Sequence, residues 1–134
     1  MSTSVSLLQI GELAQRTGAS HRTIHYYERL GLLRPVEREG AGYRYYDEEA
    51  VQRLEKIAAL KKLGLSLDDI GQVIDLYFQD ASGIKGKEKV LKILETQLLS
   101  TRARLGELQS FEKDLQANIA RMQGLIAEAR GKRG

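Results

Sequence analysis

The feature that most constrains this chain is a proline-free segment, residues 87–129, whose apolar side chains recur every seven residues. With Leu91 taken as position a, ten of the twelve a and d positions are apolar, and only Thr101 and Glu112 are polar. A repeat sustained over about six heptads predicts a coiled-coil seam along one helix. At ~1.5 Å per residue the helix would be on the order of 65 Å long.

This seam needs a partner, because apolar side chains along a lone helix stay exposed to water. The chain has 134 residues, and too few remain for a second long helix, so the predicted partner is another copy. A seam that folds back onto the amino-terminal part of its own chain is the alternative. The predicted dimerisation residues are Leu91, Leu94, Leu98, Leu105, Leu108, Leu115, Ile119, Met122 and Ile126.

The sequence before this segment predicts a small helical domain and a linker. Gly18 ends a first short helix, Ser20 is suited to cap a second, and Gly31 ends that one. Two short helices joined by a tight turn form a helix-turn-helix. The predicted organisation is a domain of residues 1–79, a linker of 80–86, a coiled-coil helix of 87–129 and a tail of 130–134.

A hairpin and two further helices are predicted to complete the domain. Pro35 excludes a continuing helix, and a glycine-rich turn separates two strand-like stretches, Val36–Arg38 and Tyr43–Tyr45. The carboxylate of Asp47 can cap a third helix that runs to Leu63, and Ser66 can cap a fourth.

The composition excludes several classes of function. There is no cysteine, which excludes disulfides, thiolate metal sites and iron–sulfur clusters, and no cofactor is expected. His21 and His25 are the only histidines, so catalytic triads are poorly supplied and an enzyme is not expected. No stretch reaches the roughly 20 apolar residues that span a bilayer, and no secretion signal is recognisable, so a cytoplasmic protein is predicted.

The charge pattern favours a polyanionic partner. The net charge is +3 and the isoelectric point is near 9.2. Every basic residue before Lys56 is an arginine. The planar guanidinium fork suits phosphates and guanine edges, although ordinary surface pairing explains these arginines equally well.

The second helix has two different faces. Ile24 and Leu30 are predicted to point inward, whereas His21, Arg22 and His25 form a donor-rich outer face. Such a helix suits the major groove of DNA. The pair His21 and His25, four residues apart, could instead hold a metal ion, but two ligands make a poor site.

Three motifs resemble the MerR family of mercury-resistance-type transcription regulators. They are residues 10–35 (IGELAQRTGASHRTIHYYERLGLLRP), 42–47 (GYRYYD) and 63–70 (LGLSLDDI). The resemblance implies a mainly α fold, with a winged helix-turn-helix head followed by a long dimerisation coiled-coil helix that is antiparallel in the dimer. It also implies a short form of the family, without a carboxy-terminal effector domain.

The resemblance implies a function as well. The chain is expected to be a homodimeric, sequence-specific regulator that binds a pseudo-palindromic promoter, distorts the spacer between the −35 and −10 elements and works with RNA polymerase. An architectural or chromosome-anchoring protein is the alternative. Whether it activates or represses, and whether it responds to an effector, stays open, and the thiolate sensing of relatives cannot be carried over without cysteine.

One position departs from the family pattern. The family usually has arginine where this chain has His25, and a neutral imidazole carries no obligatory charge, so the contact there is expected to be weaker or pH-dependent. The outer face and the resemblance together predict DNA contacts by Ser20, His21, Arg22, Thr23, His25, Tyr27, Arg38, Tyr43 and Arg44.

Overall fold

The computed structural model describes residues 7–37 and 44–132 of the chain. These parts are mainly helical, with a helix-turn-helix head and a long carboxy-terminal helix, which confirms the predicted fold class. Two units are distinguished, one ending at Val90 and one beginning at Leu91. The elements are β1 (Leu8–Gln9), α1 (Ile10–Thr17), α2 (His21–Arg29), β2 (Val36–Glu37), β3 (Arg44–Tyr46), α3 (Glu48–Lys62), α4 (Leu67–Tyr77) and α5 (Ile84–Gly131).

Local capping signals define the helix-turn-helix. Gly18 takes a left-handed φ of 77° at the end of α1, and its N–H donates to the carbonyl of Ala14 at 2.8 Å. The hydroxyl of Ser20 accepts from the backbone N–H of Thr23 at 3.1 Å and caps α2. Glycine and serine therefore stop one helix and start the next, as the sequence predicts.

A small antiparallel sheet forms the wing, by which we mean β2, β3 and the residues between them. The strand order is β1-β3-β2, with Val36 opposite Tyr45 and Leu8 opposite Tyr46. The described parts of the predicted hairpin, β2 and β3, pair as antiparallel strands. Strand β3 extends to Tyr46, one residue past the predicted end at Tyr45, and β1 is a further strand that the sequence does not predict. Arg38 and Tyr43 lie outside the described residues.

Apolar faces of the head helices pack into one core. The buried residues of α3 include Val51, Leu54, Ile57 and Leu60, and those of α4 are Ile70, Val73 and Ile74. Leu30 was predicted to point inward, and this is wrong: it is 47% exposed, because α2 ends there and Leu32 and Leu33 fill the core instead. The most deeply buried side chains are Tyr46, Leu13, Ile24, Leu33, Ile57, Leu60, Ile70, Ile74 and Val73.

Arg53 ties three parts of the head together. Its guanidinium donates to the carbonyl of Leu32 at 3.2 Å and lies 2.9 Å from a carboxylate oxygen of Asp75 and 3.1 Å from one of Glu49. It also lies over the ring of Phe78, 4.9 Å from the centroid. Because the arginine is largely buried, these contacts join α3 to α4 and to the turn after α2.

Helix α5 begins earlier than the sequence predicts. The predicted linker, residues 80–86, ends in helix, since α5 starts at Ile84. The remaining turn is tight: the carboxylate of Asp80 accepts from the backbone N–H groups of Ser82 and Gly83 at 3.0 and 2.9 Å, and hydrogen bonding to Ser82 and Gly83 lowers the pKa of Asp80. From Leu98 to Lys132 every residue is exposed. Within the described ranges, no helix has the uninterrupted apolar length that a bilayer crossing requires.

Candidate nucleic-acid interface

Helix α2 separates its predicted functional residues by face. Ile24 and Tyr27 are buried, while His21, Arg22 and His25 are exposed on the other side. A helix of nine residues is too short to be stable alone, so its buried face fixes the position of its polar face. The three exposed side chains predicted from the sequence therefore lie together on one accessible surface.

The other predicted residues of this helix have structural roles. Tyr27 is only 7% exposed, so its ring belongs mainly to the core. The hydroxyls of Ser20 and Thr23 bond to each other at 2.9 Å within the cap of α2. Tyr27 and Thr23 also line a surface cavity beside Arg22, so part of each borders the exposed face.

Glu28 joins α2 to the wing. Its carboxylate accepts a hydrogen bond from Arg44 Nη1 at 2.7 Å and another from the hydroxyl of Tyr46. His25 Nδ1 lies 3.4 Å from Arg44 Nη1 and 3.8 Å from a Glu28 oxygen. The Glu28 side chain is 9% exposed, so a nearly buried carboxylate is compensated by two donors from β3.

These contacts change the electrostatics of the wing. Burial, followed by the hydrogen bond to Glu28, raises the pKa of Tyr46 well above its ordinary value, so the phenol stays protonated and donating. Arg44 is paired yet its side chain remains 58% exposed. Its guanidinium has further N–H groups that can donate to a phosphate while the pair with Glu28 persists.

Sequence reasoning did not identify Glu28 or Lys61. Glu28 follows Ile24 by four residues, which puts it near the buried face of α2, and an acidic residue there is a signal for a partner. Lys61, in the last turn of α3, lines the same surface cavity as Arg22 and Tyr27. Its placement depends on how α3 packs against the other helices of the head, which local sequence does not reveal.

Metal binding finds no support in the described parts of the chain. Within residues 7–37 and 44–132, no group of three or more histidine, cysteine, aspartate or glutamate side chains is arranged to hold an ion. His25 instead lies beside Arg44 and Glu28.

Comparisons with known proteins identify a family. Residues 8–76 match the family model described as MerR HTH family regulatory protein, and residues 51–118 match the one described as MerR, DNA binding. The chain is 34% identical over 113 residues to the mercuric resistance operon regulatory protein of Bacillus cereus, covering 74% of this chain and 86% of that protein.

Two further relatives are informative. Nodulation protein NolA of Bradyrhizobium elkanii is 49% identical over 67 residues, half of this chain, and these span only 31% of NolA. The crystal structure of HiNmlR, a MerR family regulator lacking the sensor domain, bound to promoter DNA, has a TM-score of 0.53 and 26% identity, covering 79% of this chain and 78% of that one.

The class of protein that both matching family models describe is a DNA-binding regulatory protein with a helix-turn-helix. The chain belongs to the MerR family, whose HTH model matches half of its length.

The Tyr46–Glu28 bond predicts a specific alkaline behaviour. The pKa of Tyr46 is higher in the folded protein than the ~10 of an unfolded tyrosine, so ionisation favours unfolding, and the stability from this group falls as pH rises above about 10. We expect the free energy of unfolding to decrease more steeply between about pH 10 and 12 in wild type than in Tyr46→Phe, by up to ~1.4 kcal/mol per pH unit.

Urea denaturation followed by circular dichroism, at one protein concentration, measures these slopes. Tyr26→Phe is the matched control, because Tyr26 is exposed, and it should keep the wild-type slope. Equal slopes in wild type and Tyr46→Phe would contradict a buried phenol that donates to Glu28.

Proposed function

We propose that this protein acts as a homodimer that binds a pseudo-palindromic promoter and distorts the spacer between its −35 and −10 elements for RNA polymerase. The observation that carries the proposal is that one chain has two separate exposed surfaces. One is the polar face of α2, the proposed recognition helix, and the other is the apolar stripe of α5, formed by the exposed residues of the predicted seam. The first suits DNA and the second suits another copy of the chain.

The stripe on α5 supports dimerisation. Leu105 and Leu108, in its middle, are 53% and 63% exposed within one chain. Phe111 is also exposed, directly before the polar a position at Glu112, so an aromatic side chain continues the stripe past this interruption. A contiguous apolar stripe of this length is covered by a partner in a stable protein.

Two heads in one dimer explain the proposed operator. A two-fold axis relates two recognition helices, so each helix meets one half of a pseudo-palindrome, with the halves spaced by whole turns of DNA. An antiparallel coiled coil would hold the two heads apart. The promoter DNA bound by the similar protein HiNmlR supports DNA of this class as the target.

Contacts with DNA are assigned to the exposed polar groups. On α2 these are His21, Arg22 and His25, and on the wing Arg44. We add Lys61, which lines the cavity beside Arg22 and can neutralise a phosphate. The contacts predicted for Ser20, Thr23, Tyr27, Arg38 and Tyr43 remain part of the proposal.

Footprinting of the purified protein on sites selected from genomic DNA tests this function. We expect one protected promoter site, and a loss of about tenfold in affinity for Arg22→Ala, because a base contact is worth roughly 1–3 kcal/mol. Arg16→Ala is the control, since Arg16 is on α1 and pairs with Glu48 at 2.6 Å. Protection that spreads along DNA without a defined site would instead support an architectural protein.

Disrupting the stripe should separate the subunits. Leu105→Lys with Leu108→Lys is expected to give a monomer with weak operator binding, because two charges would enter the seam. The matched control is Leu99→Lys with Ala103→Lys, two exposed positions of the same helix outside the a and d series. Sedimentation equilibrium measures the state, and a wild-type monomer at micromolar concentration would refute dimerisation.

His25 predicts a pH dependence. Imidazole side chains gain their charge as pH falls from about 8 to 6, and a nearby phosphate favours the charged form. Glu28, 3.8 Å away, and Arg44, 3.4 Å away, are the charged groups of opposite sign that lie beside His25. We expect operator affinity to rise as pH falls over this range, and His25→Arg to bind more tightly with a flatter profile.

Fluorescence titrations of labelled operator at pH 6, 7 and 8 measure these affinities. His25→Gln should flatten the profile. His21 is a second imidazole on the same exposed face and could produce the same effect, so His21→Gln is measured separately, and a profile flattened only by His21→Gln would assign the pH dependence to His21. A flat wild-type profile, or no gain from His25→Arg, would show that His25 does not contact phosphate.

A further inference from the structure

Glu28 sits where an acidic residue is unfavourable for a DNA-binding surface. It belongs to the recognition helix, and its charge is opposed by every phosphate of the duplex. Yet its side chain is 9% exposed and accepts hydrogen bonds from both Arg44 and Tyr46. Its role is therefore found within the protein rather than in contact with DNA.

The two donors come from the same face of one strand. Arg44 and Tyr46 are two residues apart on β3, so both side chains point to the same side of the sheet. β3 is the central strand, paired with β1 on one edge and β2 on the other. A carboxylate that holds both side chains fixes the middle of the wing sheet against the recognition helix.

We propose that Glu28 is a positioning residue for DNA binding: it locks the wing to the recognition helix and aims the guanidinium of Arg44 at the DNA backbone. The inference rests on the Arg44 contact in the proposed function. The bond to Tyr46 holds the Glu28 carboxylate in place, because the Tyr46 side chain is fully buried and its hydroxyl would lose a partner without Glu28. Arg44 is the side chain that Glu28 positions, since its guanidinium remains exposed while it is paired with Glu28.

Removal of the Glu28 charge distinguishes a positioning role from a purely electrostatic one, because the two roles predict changes of DNA affinity in opposite directions. If Glu28 acted only through its charge, Glu28→Gln would tighten DNA binding, because one repulsive group is lost. If Glu28 positions Arg44, Glu28→Gln weakens binding despite that gain. Glu28→Asp keeps the charge but is one methylene shorter and cannot reach both donors, so it weakens binding as well.

The experiment measures operator affinity of the full chain as a function of salt, with unfolding by urea as the check on folding. We expect Glu28→Gln and Glu28→Asp each to lose about tenfold in affinity, the loss of one charge-assisted contact. Glu48→Gln is the matched control: Glu48 also binds an arginine, at 2.6 Å, but on an exposed surface between α1 and α3. It should stay within about twofold of wild type.

A double-mutant cycle with Arg44→Gln tests whether Glu28 acts through Arg44. We expect Glu28→Gln to reduce operator affinity only slightly in the Arg44→Gln background, since the guanidinium that Glu28 positions is absent there. A full tenfold loss there, or binding by Glu28→Gln as tight as wild type, would overturn the inference. If Arg44→Gln itself keeps wild-type affinity, the Arg44 contact of the proposed function fails instead. Should Glu28→Gln not fold, the outcome for Glu28→Asp decides in the same way.

Discussion

The burial of one side of a nine-residue helix is the constraint on which the head depends. Helix α2 has too few hydrogen-bonded turns to persist in water by itself. Ile24 and Tyr27 bind it to the core, and α1 packs against both α2 and α3. The polar face of α2 is rigid only because its apolar face is held, so the core and the interface are two consequences of the same packing.

The sequence predicted those features that depend on neighbours along the chain. The caps at Ser20, Asp47 and Ser66 are present because each hydroxyl or carboxylate meets a backbone N–H three residues later. The failures involve distant or terminal contacts. Strand β1 exists only through its pairing with β3, and Leu30 is exposed because it ends its helix.

In the candidate site, too, the sequence predicted the features that depend on local periodicity and missed those that depend on distant contacts. The outer face of α2 follows from helical periodicity, so His21, Arg22 and His25 could be named in advance. The contacts of Glu28 with β3 join residues 16 and 18 positions apart, and no local pattern encodes that approach. The arginines of the head illustrate the same limit: Arg53 is committed to carboxylates inside the fold, whereas composition alone counts it with the DNA-facing group.

Gly86 has a consequence for how such proteins can diverge. An added Cβ there would lie 2.5 Å from the ring of Tyr77, so the first turn of α5 lies directly on an aromatic face from α4. A side chain at position 86 would therefore require either the Tyr77 ring or the first turn of α5 to move, so glycine at this position depends on the residue at position 77. If recombination between related genes placed Tyr77 before an α5 that has a larger residue at position 86, the two side chains would collide. The junction between α4 and α5 is therefore a poor place for a crossover.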